Sequence, residues 1–131
     1  MPPDAPTLAQ VPSWEWLRLH VDPARSRTLV TAAGGHGTEY GMPIPTLGTP
    51  DSAQHFVDAR LAEGADWIKV VVDDGSAYGL SMPTLDSATV HATIAAARRR
   101  SARVVVHPGT YADARRAIDA GAHGLVHLFV D

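Results

Sequence analysis

The segment DARLAEGADWIKVVVDDG, residues 58–75, holds the end of one element, a stop and the whole of the next. Gly64 ends a helical pattern that starts near Pro50, with Thr49 placed to cap it and Pro50 at the first helical position. Phe56, Val57 and Leu61 give that helix an apolar stripe. Trp67, Ile68, Val70, Val71 and Val72 then form an apolar run of strand length, closed by Asp73-Asp74-Gly75. The same order returns in DARRAIDAGAHGLVHL, residues 113–128, where Thr110 caps a helix, Gly121 stops it and a strand follows. Two such units echoing one another fit a barrel of repeated β/α units.

Working outward, RTLVTAA (27–33) reads as a strand running into the glycine-rich GGHG, and residues 41–50 as a loop. Residues 73–83 form a second loop. A helix spans about Asp86 to Arg100, with Val90, Ile94 and Ala97 on one face, followed by the strand RVVVH (103–107). The last strand is GLVHLF (124–129). Strands alternating with helices specify an α/β fold with a parallel sheet: a portion of a (β/α)8 TIM-type barrel, or else an open doubly wound sheet. Helix placement separates them, because a barrel keeps every helix on one side of its sheet. The domain so read covers residues 27–131. Residues 1–26 are Pro-rich, irregular and unassigned, and WEWLRLHV (14–21) fits a short helix or a strand equally.

Composition narrows the partners. The 131 residues are 45% hydrophobic and 19% charged, with a net charge of −3, an ordinary globular balance without general attraction to nucleic acid or anionic membranes. Arg98, Arg99, Arg100 and Arg103 form the one basic run, and they sit where cations suit a helix C-terminus. No nucleic-acid or membrane partner is expected. The absence of cysteine excludes disulfides and Cys-based zinc sites. MPPDAPTLAQ lacks the apolar core of a signal peptide, so a soluble cytoplasmic protein is expected.

Lys69 lies inside an apolar strand, where lysine is rarely buried without a partner. Taken alone, it reads as a strand-end lysine whose stem lies along apolar surface while its amine reaches water. His107 and His127 stand in comparable places on the two following strands. Parallel sheets and barrels gather their chemistry at the C-terminal strand ends, and neutral imidazole is the commonest side-chain metal ligand. A protonated lysine cannot bind a metal. A desolvated neutral amine can take up carbon dioxide as a carbamate, a carboxylate-like anion able to bridge two ions.

The residues TAAGGHG, ARLAEGADWIKVVVDDG, VVVHPG and ARRAIDAGAHGLVHLF, in this order, resemble the metal-dependent amidohydrolase superfamily. The likeness is to the group of imidazolonepropionases and Xaa-Pro dipeptidases, and it runs from about Val30 to Asp131. It implies a (β/α)8 barrel, of which this chain supplies about strands three to six. It also implies that Lys69, as a carbamate, His107 and His127 bind a divalent metal, zinc first, with two ions in an intact enzyme. A His-x-His pair on the first strand and a catalytic aspartate on the eighth are missing: RLHVD offers His20 alone, and Asp131 follows the sixth strand too closely.

Other polar residues read more plainly. His36 in GGHG borders the substrate pocket in relatives and equally suits a turn. Asp73 and Asp74 make good turn chemistry. His36, Asp73 and Tyr78 are the candidate substrate contacts, while Tyr40 lies in a similar loop without being singled out. His20, His55, His91 and His123 read as structural, and Trp14, Trp16 and Trp67 as packing residues. The expected function is metal-dependent hydrolysis of amide or peptide-like C–N bonds, with a small-molecule or dipeptide-like substrate and machinery incomplete in these residues. The alternative is a catalytically inactive remnant or an oligomeric α/β small-molecule-binding module. Open barrel edges lead us to expect self-association.

Overall fold

The computed structural model describes residues 29–41, 43–65, 67–127 and 129. Expectations placed on residues 1–26, including His20, Trp14 and Trp16, and on Asp131 lie outside these. Four strands, β1 (Leu29–Val30), β2 (Trp67–Val72), β3 (Arg103–Pro108) and β4 (Gly124–Leu125), make one parallel sheet in the order β1-β2-β3-β4. Between them run α1 (Ala53–Ala62), α2 (Ser87–Arg99) and α3 (Tyr111–Asp119).

Register decides which side chains share a face. Ile68 pairs with Val104, Val70 with Val106 and Val30 with Val70. All five are fully buried, in one core with Val57 of α1, Val90, Ile94 and Ala97 of α2, and Ala117 of α3. The three helices therefore cover the same face, and strand order follows chain order without reversal. A doubly wound sheet places helices on both faces and reverses order at its switch point. The barrel-type arrangement holds. The opposite face carries Trp67, Lys69 and Val71 of β2 beside Arg103, Val105 and His107 of β3. There the Arg103 guanidinium lies 5.4 Å from the Trp67 ring centre.

Helix starts follow local chemistry. Asp86 accepts the Thr89 N–H at 2.7 Å. Thr110 and Asp113 form a reciprocal capping box on α3. The helix expected from Pro50 begins differently. Residues Pro50–Ser52 make a tighter 3-10 turn, because the Ser52 N–H bonds to the carbonyl of Thr49 three residues back. The Thr49 side chain makes no capping bond and meets the Ser52 hydroxyl at 3.2 Å instead.

Arg98, Arg99 and Arg100 are exposed, as a solvated helix end requires. Arg100 also grips Asp58 through two nitrogens at 2.7 and 2.8 Å, tying α2 to α1. No helix among the described residues is long and apolar enough to cross a membrane. The final strand is shorter than expected. The Val126 N–H still reaches the Val106 carbonyl at 2.9 Å, but His127 takes φ +66° and turns the chain out of the ladder.

Candidate metal centre

Four successive strand ends each deliver one polar side chain to the same edge of the sheet. His36 comes from the loop after β1, Asp73 directly follows β2, His107 lies near the end of β3, and His127 follows β4. The His107 ring is the hub. Its centre lies 4.9 Å from that of His36 and 4.4 Å from that of His127. Its Nε2 meets Asp73 Oδ2 at 3.1 Å. One ligand atom each from His36, Asp73 and His107 can be chosen so that all lie within 4.8 Å of one another, and this group could hold a metal ion.

Backbone geometry explains how they meet. In a regular strand His127 would alternate away from Val126; the left-handed turn at φ +66° breaks that alternation and brings the ring against His107. Non-glycine residues seldom take this conformation, and where they do it often marks a functional site. Gly109 permits the second close approach, because a Cβ there would stand 2.4 Å from Asp73 Oδ1. In GGHG, a Cβ on Gly35 would come within 2.7 Å of the Pro83 carbonyl, so that loop too requires glycine. The buried Thr31 hydroxyl donates to the His36 carbonyl at 2.9 Å and holds the loop in place.

Lys69 occupies the face away from the helices, on the same side as His107. Burial lowers the pKa of its amine. The His107 imidazole is driven down to about 4, first by burial, then by His127, His36 and Lys69, with Asp73 opposing. His127 moves the same way, first through partial burial and then through its charge interactions with Lys69 and His36. Near pH 7 both rings are neutral and can donate a lone pair. Asp73 Oδ1 accepts the Gly75 N–H and Asp74 Oδ1 the Ser76 N–H, the turn chemistry expected of this pair.

The pairing of Asp73 with His107 goes beyond that turn reading, and Glu39, absent from the expected set, holds His36 Nδ1 at 2.7 Å. The spacing His36-x-x-Glu39 was the available signal. Tyr78 is mostly exposed on a 3-10 turn, Ser76–Tyr78, and no hydrogen bond or ring contact joins it to the histidines among the described residues. His123 accepts the Val104 N–H at 3.0 Å, His91 bonds within its own helix to the Ser87 carbonyl, and His55 is exposed on α1. These three are structural or solvent-facing.

Solved structures share this fold. A Xaa-Pro dipeptidase with bound methionine matches 74% of the chain at 26% identity and a TM-score of 0.62. A. niger ochratoxinase matches 79% at 18% identity and a TM-score of 0.67. The fold is of the amidohydrolase type. A third neighbour, itself an amidohydrolase, matches 76% at 22% identity with a TM-score of 0.62. The chain spans 27%, 30% and 29% of the lengths of these three structures. No protein-family model and no curated protein matches the sequence. The donors gathered here, imidazoles and a buried carboxylate, suit a divalent metal ion.

One pH effect follows from the hub. In metal-free protein the folded His107 resists protonation to about pH 4, whereas an unfolded histidine takes its proton near 6.5. The unfolded state binds more protons between these values, so stability falls as pH drops from 6.5 toward 4. The loss is on the order of 3 kcal/mol at the lower end. Urea unfolding in chelator across this range checks it; a flat stability profile would contradict it.

Proposed function

We propose that these strands form the metal-binding part of a hydrolase acting on amide or peptide-like C–N bonds of small, dipeptide-like substrates. The observation that carries this reading is the convergence of His36, Asp73, His107 and His127 from four consecutive strand ends, at the edge where barrels hold their chemistry. The amidohydrolase-type neighbours, a Xaa-Pro dipeptidase among them, support the reaction class. Zinc is the ion proposed. His107 and His127 are its nitrogen ligands and Lys69, as a carbamate, the anionic one, in the set implied by the resemblance. When bound, a divalent ion polarises a scissile carbonyl and lowers the pKa of a coordinated water.

The chain's own groups supply the rest. Neutral imidazoles would donate to the ion, the desolvated Lys69 amine is available to carbon dioxide, and His36 and Asp73 lie beside His107 as the proposed substrate contacts. The His-x-His pair and strand-eight aspartate of the family are not among these 131 residues, so the proton-handling base must come from elsewhere.

Metal retention and hydrolysis of a dipeptide panel, measured after loading with zinc and bicarbonate, test the proposal. Bound zinc without turnover is expected of the chain alone. Failure of the wild type to retain zinc contradicts it, as does turnover that survives a His107→Ala, His127→Ala double substitution.

A further inference from the structure

One residue in the core-facing stripe of α1 is charged. Ala53, Val57 and Arg60 are the buried residues of that helix, at the spacing that turns all three toward the sheet. Arg60 is 6% exposed. Its Nη2 donates to Glu63 Oε1 at 2.7 Å, and its guanidinium carbon lies 5.0 Å from the Phe56 ring centre. Nε and Nη1 are buried and meet no acceptor among the described residues. A guanidinium cannot shed its proton to escape burial, and buried charges are ordinarily paired.

Placement says where an acceptor would come from. Gln54 and Asp58 reach Ala96, Arg99 and Arg100, so their side of α1 faces α2. Phe56 and Arg60 lie two residues further on, about 200° around the helix. Since α2 packs over β2 and β3, this opposite flank looks toward β1. Arg60 is also in the last turn of α1, at the edge of the sheet from which the parallel strands start. Residues 1–28 lead into β1 at Leu29, at that same edge. Three carboxylates are available there, Asp4, Glu15 and Asp22. Asp22 is seven residues from Leu29 and Glu15 fourteen, so Asp22 has the shorter tether and the higher effective concentration. Seven residues span up to about 23 Å, twice the width of a helix.

We propose that residues 14–22, WEWLRLHVD, dock on the β1-side flank of α1, with the Asp22 carboxylate accepting from the Arg60 guanidinium. Trp14, Trp16, Leu17 and Leu19 supply apolar surface to lie against Phe56. The segment then covers the flank that α2 leaves open and gives the buried cation its counter-charge. The inference is independent of any metal at the opposite edge of the sheet.

The test is limited trypsin digestion of the 131-residue protein, followed at Arg18 and Arg25 and compared with free peptides of residues 12–28 bearing the same substitution. Cleavage tracks the population in which the segment is undocked. Wild-type cleavage is expected to be at least about 100-fold slower than that of the peptide. Asp22→Asn and Arg60→Met are each expected to restore about 10- to 100-fold, the change that losing one charged hydrogen bond produces. The double variant is expected to be no faster than either single one, as two ends of one bond require. Arg60→Met keeps an apolar residue in the stripe. If it does not fold, Asp22→Asn, which leaves the described core untouched, decides alone. Wild-type cleavage at the peptide rate overturns the inference, as does full protection in Asp22→Asn. Release by Glu15→Gln in place of Asp22→Asn overturns the pairing. Protection that grows with protein concentration, alongside a dimer in sedimentation, gives the flank to a second copy and overturns it as well.

Discussion

Replacing His107 with alanine is expected to abolish zinc retention, with affinity falling more than about 100-fold. The ring is common to every ligand set available at this edge, since it touches Asp73, His36 and His127. No neighbour stands in the same position on β3. Equilibrium dialysis with metal analysis reads the effect; retention near the wild-type level would remove the strand ends from consideration as a metal centre. The same variant should lose the acid sensitivity assigned to His107, because the group that resists protonation is gone. At neutral pH it should also lose about 1–3 kcal/mol, since Asp73 Oδ2 is left buried without its partner. Comparing chelator-treated proteins separates this structural cost from the loss of the ion.

Ile94→Ala is expected to have the largest effect on folding. Ile94 is 2% exposed and lies in the core formed by α1, α2 and the sheet. Truncating such a side chain costs about 2–5 kcal/mol through lost burial and the cavity left behind. Whole domains have only about 5–15 kcal/mol to lose, and a four-stranded arc has not closed its barrel. Urea unfolding should become shallow or shift to very low denaturant. A midpoint within experimental error of the wild type would show that the packing around α2 is wrongly described.

The β/α rhythm was readable because its punctuation is local. Thr110, Asp113 and Gly121 frame α3 through contacts spanning a few residues, and the sequence carries all of them. Alternation of Ile68, Val70 and Val72 with Lys69 likewise reveals which face Lys69 takes once helices are known to cover one side. The site was readable only in part. Lys69, His107 and His127 stand out because each interrupts an apolar strand. Asp73 stands out only as a turn residue and a candidate substrate contact, since Asp-Asp-Gly is complete as a turn, and nothing local announces a partner 34 residues away. The left-handed turn at His127 was equally hidden: histidine in an apolar run reads as strand, and only the ladder's end at Val126 shows otherwise. Thr49 shows the reverse error, a good capping residue whose helix begins as a 3-10 turn and leaves the cap unused.

The delivery of donors from separate strand ends would also make a bound ion a participant in cohesion. β1 and β4 are held in the sheet by short ladders of two residues each. Bonds from one ion to His107 and His127 would tie the end of β3 to the turn that follows β4. An unfolded chain presents no such arrangement, so binding favours the folded form by about 2.7 kcal/mol when free ion stands at a hundred times its dissociation constant. The folded fraction of this chain would then track the concentration of free zinc, and the same residues that set up chemistry would report metal supply.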